Sequence, residues 1–417
     1  MHILEAGLRT GGPANSDHPA GGPFTSVPAL DAAPRILFVD NQVSDFIQYR
    51  LSLAAVLRNS GWDVHVALPK EEGLEEIVRQ NLTVHSFYIK RMSLRPLDEL
   101  RTLIALLRVY RRLQPTLVHH FCLKPSLYGG LAARLCHVPS AVSTFTGLGH
   151  LFTAQSLTVR VLRRFTVTAL RFCFRHANHV AVFQSGIDRD RLVREEIVPA
   201  ERAVVISGSG VDLSVFRSKP EPGGIPVVLM ACRLLWEKGV AEFVAAASGL
   251  RRQGIQARFV LVGEPDAGHP SAIPISTLTK WRDSGDVEWL GWRNDMAALI
   301  AASHIVCLPS YYGEGIPRVL IEAAATGRPI IGTASCGCEI IRHGENGLIV
   351  PPRDSEALAD AFAQLLQDAP LRRTMGIRGH EIVAGGFSLE AVIYANCAVY
   401  RSILPTGSGL PVTATEL

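Results

Sequence analysis

The sequence lacks the patterns that identify several common classes of protein. No uninterrupted apolar run reaches the ~18 residues that a membrane-spanning helix requires. Residues 1–34 have neither the basic start nor the apolar centre of a signal peptide, and they predict a disordered leader. No RNP, KH, zinc-finger or helix-turn-helix signature is present, which argues against nucleic-acid binding. No Gly-x-Gly-x-x-Gly follows the first predicted strand, which argues against an NAD(P)-dependent dehydrogenase.

The cysteines lack the spacing of a metal site or of a disulfide framework. Cys336 and Cys338 are too close together for a zinc-type pair, and no second pair accompanies them. The other six are scattered, mostly through apolar segments. This pattern predicts free thiols in a reducing cytoplasm.

Acidic residues are almost absent between residues 89 and 187. This window contains fourteen Lys and Arg but only two acids, Asp98 and Glu99, so its net charge is +12 in a chain whose total is +4. Within this window, residues 159–175 alternate arginine with Val, Leu and Phe at helical spacing, which is typical of a helix lying on an anionic membrane. An ordinary solvated helix that packs on its own domain explains the same pattern. The candidate membrane-surface residues are Arg160, Arg163, Arg164, Arg171 and Arg175.

Strand-length apolar runs alternate with helical patterns along the rest of the chain. Continuous Val, Ile and Leu runs separated by helices indicate parallel sheets that are buried on both faces. A Pro/Gly-rich stretch at 218–226 divides the pattern, and we predict an α/β protein with two doubly wound, Rossmann-like domains facing each other across a cleft. The predicted strands are Arg35–Asp40, Asp63–Leu68, Leu117–His120, Ala141–Phe145, His179–Phe183, Ala203–Ser207, Val227–Arg233, Arg258–Val262, Val287–Leu290, Ile305–Leu308 and Pro329–Gly332.

These patterns divide the chain into six predicted parts. The first predicted domain spans residues 35–207, and the second spans residues 227–387. The remaining parts are the leader at 1–34, a linker at 208–226, a last helix at 388–404 and a tail at 405–417. From periodicity alone, the last helix can pack on either domain.

The most informative segment runs from Glu314 to Glu322. It follows a predicted strand and a turn, and Pro317 suits the start of the helix that follows. Two carboxylates would accept hydrogen bonds from sugar hydroxyls, and the amides of Gly315 and Ile316 would lie at an anion-binding helix end. These are the parts that a site for a sugar attached to phosphate requires.

Two further loops of the second domain follow strands that lead to the cleft. Arg233 and Lys238, five residues apart, can neutralise a diphosphate and bind it more tightly as it departs. Gly263 follows the next strand and allows either a close approach to a ligand or a sharp turn. The competing interpretation is that Arg233 and Lys238 are two ordinary surface residues.

The loops after the first-domain strands bring other polar residues to the cleft side. His119, His120, Lys124, Thr146 and His150 follow or end the strands at 117–120 and 141–145. A single histidine is more often a structural hydrogen-bonding group than a base. Asp188-Arg189-Asp190 has the form of a metal-binding DxD motif, but its setting favours the capping of a helix.

At these residues the chain resembles the GT-B-fold glycosyltransferases of family 4, in the branch that builds capsule and O-antigen repeat units on a lipid carrier. The resemblance covers residues 35–404 and is strongest from Pro309 to Pro329. In the second half it also includes Arg233 with Lys238-Gly239, Gly263 with Asp266, and Gly344–Gly347. Residues 41–50, ending at Arg50, Lys124-Pro125 and Thr146-Gly147 match the lipid-carrier branch.

The resemblance implies a role for each matching residue on the donor side. Arg233 and Lys238 hold the nucleotide diphosphate, Glu314 contacts the transferred sugar, and Glu322 contacts the ribose. The amides of Gly315 and Ile316 lie near the phosphates.

The same resemblance implies the reaction and its partners. The family retains anomeric configuration, usually uses a UDP-sugar and requires neither a metal nor another cofactor. The departing phosphate accepts the proton of the acceptor. The acceptor is an undecaprenyl-diphosphate-linked sugar at the inner face of the cell membrane, which the basic surface suits, and no nucleic acid is involved. The last helix crosses back to the first domain.

One departure affects the first domain. Many relatives have a histidine near the reaction centre where this chain has Thr146, and His150 replaces a common aromatic residue. A threonine hydroxyl donates a hydrogen bond but is a poor base. Either this branch functions without the histidine, or His119, Lys124 or His150 replaces it. An epimerase or hydrolase of the same fold, a transferase with a soluble acceptor, and a scaffold with a degenerate site remain as alternatives.

Overall fold

The computed structural model describes residues 33–90, 93, 95–148, 152, 157–266, 268–311, 315–335 and 339–404. The first half of the chain builds a seven-stranded sheet in the order β3-β2-β1-β4-β5-β6-β7, with every pair of neighbours parallel. Its strands are β1 (Arg35–Val39), β2 (Asp63–Leu68), β3 (Thr83–Ser86), β4 (Leu117–Phe121), β5 (Ser140–Phe145), β6 (His179–Phe183) and β7 (Ala203–Val205).

The second half builds a six-stranded parallel sheet in the order β10-β9-β8-β11-β12-β13. Its strands are β8 (Val227–Ala231), β9 (Arg258–Val262), β10 (Glu288–Trp289), β11 (Ile305–Leu308), β12 (Ile330–Thr333) and β13 (Gly347–Val350). Each sheet has the doubly wound order in which the chain starts centrally and reverses direction once.

Helices cover both faces of the two sheets, as buried parallel strands require. Those of the first half are α1 (Val43–Tyr49), α2 (Leu51–Asn59), α3 (Leu74–Arg79), α4 (Pro96–Leu113), α5 (Leu123–Leu135), α6 (Leu157–Phe174) and α7 (Gly186–Arg194). Those that follow are α8 (Val240–Arg252), α9 (Ile275–Asp283), α10 (Met296–Ala301), α11 (Arg318–Ala325), α12 (Ser355–Gln367), α13 (Ala369–Gly386) and α14 (Leu389–Ile403). Short 3₁₀ turns lie at Ala200–Arg202 and Trp236–Lys238.

The structure confirms the predicted fold class, and all eleven predicted strands are present. Two strands were missed. β3 is a short edge strand whose residues are only partly buried, so it has little of the apolar signal on which the prediction depended. β13 is four residues long and starts with a glycine, which resembles a turn more than a strand.

Alternate residues of the central strand β1 belong to two separate cores. Ile36 and Phe38 pack under α1–α3, whereas Leu37 and Val39 pack under α4 and α5. This alternation is the period-2 geometry of a strand that is covered on both faces.

The last helix, α14, lies on the first sheet, although it follows the second half in sequence. Its apolar residues join the core of Ile36 and Phe38, and Ser140 at the start of β5 donates a hydrogen bond of 2.7 Å to the carbonyl of Ile403. This contact decides between the two positions that periodicity left open.

The reversal of strand order falls beside β1 and β4 in the first sheet and beside β8 and β11 in the second. In open parallel sheets, ligands bind outside the carboxyl ends of strands at such a point. Asp40 and Cys122 follow the first pair of strands, and Cys232 and Pro309 follow the second pair. The topology therefore predicts that a ligand binds at the loops that start at these four residues.

Candidate active site

A cavity of about 440 Å³ lies between the two halves, at the carboxyl ends of both sheets. The first half contributes Asp40, Gln42, Asp45, Gln48, Tyr49, Arg50, Cys122, Thr146, Gln184 and Ser209 to its wall. The second half contributes Ala231, Cys232, Arg233, Lys238, Met296, Leu308, Gly315, Ile316, Pro317, Arg318, Val319 and Glu322. Most of the donor-side residues predicted from sequence therefore surround one space.

The two predicted cations of the second half both reach this cavity. Arg233, at the loop after β8, is half exposed and forms an ion pair of 2.7 Å with Asp266. Lys238 is buried and ends the 3₁₀ turn that leads into α8. A buried ammonium and a half-exposed guanidinium on one wall give the cavity an electropositive side, which suits a diphosphate.

The start of α11 forms the next part of the wall. Pro317 is the residue before the first helical turn, one position earlier than predicted, and Gly315, Ile316 and Pro317 all line the cavity. The Gly315 amide donates a 3.3 Å hydrogen bond to the carbonyl of Thr146 in the first half. The described conformation therefore uses the Gly315 amide to join the halves. Glu314, predicted to contact the transferred sugar, lies outside the described residues.

Glu322 is buried in α11, and its carboxylate is paired with a residue that the sequence analysis did not identify. Arg318 donates hydrogen bonds to Glu322 Oε1 at 2.7 Å and to the Gln48 carbonyl at 2.6 Å. Its guanidinium also lies 5.4 Å from the centre of the Tyr49 ring. Burial raises the pKa of Glu322, and the Arg318 ion pair opposes that rise. The i, i+4 spacing of Arg318 and Glu322 on a predicted helix was the available signal.

Gly263 was predicted to bind the donor, but it is not among the residues that line the cavity. Its φ of 126° and its packing explain the glycine instead, because a Cβ there would overlap the carbonyl oxygen of Cys232. Its amide donates a hydrogen bond of 2.8 Å to the carbonyl of Gly291. Gly263 therefore allows the close packing of the loops that follow β8 and β9.

Two of the predicted first-half residues reach the cavity. The Thr146 hydroxyl lies 3.4 Å from the Cys122 sulfur, and burial raises the pKa of Cys122 to about 12, so this thiol is not a nucleophile at neutral pH. Arg50 is buried between α1 and α2 and lies 4.3 Å from the centre of the Phe121 ring. Its Nε has no hydrogen-bond partner among the described residues. Gly147, with φ of 136°, does not line the cavity.

His119 and His120 do not lie at the cavity, which corrects their prediction as acceptor-side residues. Both point from β4 into the cores and are fully buried. His119 hydrogen-bonds with Tyr400 at 2.6 Å and Thr144 at 2.7 Å. His120 hydrogen-bonds with the Tyr110 hydroxyl at 2.9 Å and with the Ser143 hydroxyl at 3.1 Å. Burial holds the pKa of both imidazoles well below the usual range, so they are neutral structural groups.

Lys124 also lies away from the cavity, contrary to prediction. Its ammonium donates to the carbonyls of Lys90 and Ser93 at 2.9 and 2.5 Å and forms a 2.6 Å ion pair with Glu99. Lys124 therefore ties the segment before α4 to α5. His150, the remaining acceptor-side prediction, lies outside the described residues.

Asp40 is a cavity residue that the sequence analysis did not select. It directly follows β1, and only 1% of the residue is exposed. Its carboxylate accepts a hydrogen bond of 2.7 Å from the Asn41 amide. Burial raises the pKa of Asp40 to about 7, against the opposing charge of Arg50. Its position at the end of the central strand was the signal that could have identified it.

The basic helix α6 presents a mixed apolar and basic surface. Arg160, Arg164, Arg171 and Arg175 are exposed, and so are Val161, Phe165 and Phe172, with 71% of Phe165 accessible. Arg171 also donates to the carbonyls of Glu195 and Glu196, and the partly buried Arg163 lies 5.9 Å from the centre of the Phe152 ring. In the described part of the chain, no helix is long and apolar enough to cross a membrane.

Asp188, the first acid of the DxD-like sequence, lies in the first turn of α7. Ser185 caps that helix and, together with the Gly186 amide, donates to Glu339 from the second half. Burial and the neighbouring Glu339 raise the pKa of Asp188 to about 6. Over the residues that the structure describes, no group of three His, Cys, Asp or Glu is arranged to hold a metal ion.

Two family models match successive parts of the chain. Residues 35–185 match a model described as glycosyl transferase 4-like, and residues 225–368 match glycosyl transferases group 1. Together the two matches cover more than half of the chain, and each corresponds to one of the two sheets.

Similar proteins include enzymes that act on lipid-linked sugars. The chain is 28% identical, over 81% of its length and 91% of the relative, to N,N'-diacetylbacillosaminyl-diphospho-undecaprenol alpha-1,3-N-acetylgalactosaminyltransferase of Campylobacter jejuni. It is 23% identical, over 80% of its length and 87% of the relative, to UDP-Gal:alpha-D-GlcNAc-diphosphoundecaprenol alpha-1,3-galactosyltransferase of Escherichia coli.

Solved glycosyltransferases share the fold. A glycosyltransferase of Rickettsia africae superposes with a TM-score of 0.73 at 20% identity, over 90% of this chain and all of that one. Anabaena Alr3699/HepE, in complex with UDP, superposes with a TM-score of 0.70 at 20% identity, over 88% of this chain and all of that one. The two sheets, the cavity between them and the two family matches agree, and the chain belongs to the GT-B-fold glycosyltransferases of family 4.

Proposed function

We propose that this glycosyltransferase moves a sugar from a UDP-sugar to an undecaprenyl-diphosphate-linked sugar during surface polysaccharide synthesis. The observation that carries the proposal is the division of the cavity wall. Arg233, Lys238 and the start of α11 face it from the second half, and Asp40 and Thr146 face it from the first. A donor and an acceptor can therefore approach each other from opposite walls.

The donor side has the charges that a nucleotide diphosphate requires. Arg233 and Lys238 supply two positive charges, and cations aimed at a departing phosphate stabilise the charge that develops on it. On this basis we propose that the reaction is metal-independent. The UDP complex of the fold neighbour Alr3699/HepE supports UDP as the nucleotide.

We also propose that the reaction retains anomeric configuration, with the departing phosphate accepting the proton of the acceptor. The histidines once considered as bases, His119 and His120, are neutral and engaged in the core. The Cys122 thiol is held in its neutral form. Proton NMR of the purified product tests this proposal, because an inverted anomeric proton coupling would contradict it.

The acceptor lipid requires access to a membrane, and two helices of the first half offer a surface for it. Beside α6, helix α4 exposes Leu97, Leu100 and Ile104 on one face. Both helices pack against α5. The exposed arginines of α4 on the same side are Arg101, Arg108, Arg111 and Arg112. We propose that α4 and α6 together dock on the anionic inner face of the cell membrane, with apolar residues among the headgroups.

Vesicle sedimentation tests the docking surface. Wild-type protein is expected to bind vesicles that contain anionic lipid, to lose binding as salt is raised, and to bind neutral vesicles poorly. The double variant Arg160→Gln/Arg164→Gln should bind more weakly, whereas Arg252→Gln, an exposed arginine of the second half, serves as the matched control. Equal binding to neutral and anionic vesicles would contradict the proposal.

The activity itself is tested in two stages. Calorimetry with UDP-, GDP- and dTDP-sugars identifies the donor, and the radiolabelled donor is then incubated with and without a membrane lipid extract. Label that enters the lipid fraction supports the proposal, whereas donor consumption without lipid indicates an epimerase or a hydrolase. Glu314→Gln is expected to lower turnover by about one to three orders of magnitude with folding intact, as for a lost transition-state hydrogen bond.

A further inference from the structure

The first-half wall of the cavity contains one carboxylate that is fixed at the centre of its sheet. Asp40 lies where the strand order reverses, its amide donates to the Ala67 carbonyl at 3.2 Å, and Oδ1 accepts from the Asn41 amide at 2.7 Å. The backbone on both sides of Asp40 is therefore held, and the carboxylate cannot move far from the cavity. An ionised carboxylate has about four acceptor positions, so the Asn41 hydrogen bond leaves capacity for a ligand.

The surroundings of Asp40 suit a hydroxyl group better than a phosphate. Asp45 lies on the same wall and Cys122 is neutral, and Arg50 is the cation whose charge acts on Asp40 from the first half. Arg50 is itself held against Phe121, and no hydrogen bond joins its guanidinium to the Asp40 carboxylate in the described structure. A carboxylate in this position repels an anion and accepts a hydrogen bond from a neutral hydroxyl.

The position of Asp40 opposite the donor residues indicates which hydroxyl it meets. Asp40 shares the cavity with Arg233, Lys238 and Gly315 from the other half. A sugar held on its diphosphate by those residues would present its anomeric carbon towards the first half. The group that must approach that carbon from the Asp40 wall is the nucleophilic hydroxyl of the acceptor sugar.

We infer that Asp40 binds and orients the acceptor hydroxyl that attacks the donor sugar. This inference rests on the proposed function and adds an acceptor-binding residue to it. When the acceptor binds, the hydroxyl donates its hydrogen bond to the carboxylate. As the new glycosidic bond forms at the anomeric carbon and the bond to the diphosphate breaks, the O–H turns from the carboxylate to the departing phosphate oxygen, which takes the proton. Asp40 supplies alignment and a negative charge next to the hydroxyl, and it ends the reaction unchanged.

The inference explains why an acid occupies a position where burial disfavours its charge. Burial raises the pKa of Asp40 to about 7, and the titratable or charged groups Arg50, Asp45 and Cys122 interact electrostatically with it. Only the ionised form accepts a hydrogen bond at both oxygens. The kcat/KM for the acceptor should therefore fall as the pH decreases through about 7.

The test compares Asp40→Asn with Asp63→Asn, the same change at the start of the neighbouring strand β2 and away from the cavity. With the donor and lipid extract identified above, Asp40→Asn should lower kcat/KM for the lipid acceptor by roughly 100-fold and leave UDP affinity within about threefold of wild type. Asp63→Asn should transfer at the wild-type rate. The acidic limb of the wild-type pH profile should be absent from Asp40→Asn.

Other outcomes overturn the inference. Transfer by Asp40→Asn within about threefold of wild type would remove Asp40 from acceptor binding and leave the proposed function intact. Loss of UDP affinity in proportion to transfer would assign Asp40 to the donor instead. Asp40→Glu, which keeps the charge but moves it by one methylene, covers the case in which the amide variant does not fold: wild-type kcat/KM in that variant would also exclude a positioned carboxylate. No lipid product from the wild-type enzyme would instead contradict the proposed function.

Discussion

The two halves of the molecule share one architecture but differ in what their polar residues do. In the second half, the predicted residues Arg233, Lys238 and Glu322 all line the cavity. In the first half, His119, His120 and Lys124 form hydrogen bonds that join elements of this half to one another and to α14. The comparison shows that a polar residue after a strand is stronger evidence of a site where a nearby residue suits the same ligand, as Arg233 and Lys238 do.

The ligands proposed for the two halves account for the difference. A diphosphate is small and doubly charged, so two short loops suffice to bind it, one with an Arg and a Lys and one at a helix start, and the residues within each loop are close in sequence. An acceptor sugar is neutral and is recognised by hydrogen bonds from residues that are far apart in the chain. The proposed membrane contact would give the first half a second signal, its basic helices, which is independent of its site.

Two lysine positions, Lys238 in the second half and the partly buried Lys124 in the first, give the sharpest contrast between the halves. Lys238→Met should lower transfer by about 1,000-fold and weaken UDP binding, because the cation at the diphosphate is lost while the aliphatic stem remains. Lys124→Met should leave UDP binding unchanged and lower the free energy of unfolding by about 1–3 kcal/mol, because two carbonyls and Glu99 lose a charged partner.

Calorimetry with UDP and urea unfolding of both variants provide the two measurements. Lys280→Met, an exposed change on α9, is the control for each. A large loss of UDP affinity in Lys124→Met would show that the first half contributes to the donor site, and it would contradict the predicted difference between Lys124 and Lys238.

A second prediction concerns the contact that joins the halves at the cavity. A Cβ on residue 315 would come within 2.9 Å of the Thr146 carbonyl oxygen and of Gln184 Oε1, so Gly315→Ala should force the halves apart. Because small displacements at a reaction centre are costly, we expect turnover to fall by about 10- to 100-fold with UDP affinity retained. Gly249→Ala, in open space on α8, is the matched control. Wild-type turnover of Gly315→Ala would mean that this contact is not needed for catalysis.

The third prediction is that acid destabilises the first half more than the second. Burial lowers the pKa of His119 and His120 well below the usual range, and that of His179 to about 3. Above about pH 6.5 these imidazoles are neutral in both folded and unfolded chains. Below it, the unfolded chain gains protons that the folded chain does not, so each histidine removes up to about 1.4 kcal/mol of stability per pH unit.

Hydrogen exchange measured at pH 7.5 and 5.5, and corrected for intrinsic rates, tests this difference. Peptides from β4 and β6 should lose protection relative to peptides from β8 and β11. His179→Gln should reduce the loss, whereas equal changes in the two sheets would contradict the prediction.

The smallest expected effect comes from Glu339, which reaches from the second half to the start of α7. Its carboxylate accepts from Ser185 Oγ at 2.6 Å and from the Gly186 amide at 3.2 Å. Glu339→Gln keeps the shape and removes the charge, so we expect a loss of about 1 kcal/mol in the contact and a change of only a few-fold in KM. It should also lower the pKa of Asp188, because a neighbouring negative charge is removed. Steady-state kinetics and NMR titration of Asp188 measure the two effects.

The sequence was sufficient for the fold class because most strands have their own apolar run and most connections contain a helical pattern. It was also sufficient for the donor loops, whose chemistry is contiguous. It was not sufficient for Asp40 and Arg318, because their roles depend on neighbours from other elements. The histidines of β4 were misassigned for the same reason: their partners Tyr110, Ser143 and Tyr400 are up to 281 residues away.

The position of α14 has a consequence for how the protein is made. The face of the first sheet that contains Phe38 and Val142 is covered by Val392 and Tyr400, which leave the ribosome only after the whole second half. Domains otherwise fold in the order of their synthesis, with the amino-terminal one first. We therefore expect part of this apolar face to stay uncovered on the nascent chain until α14 has been synthesised.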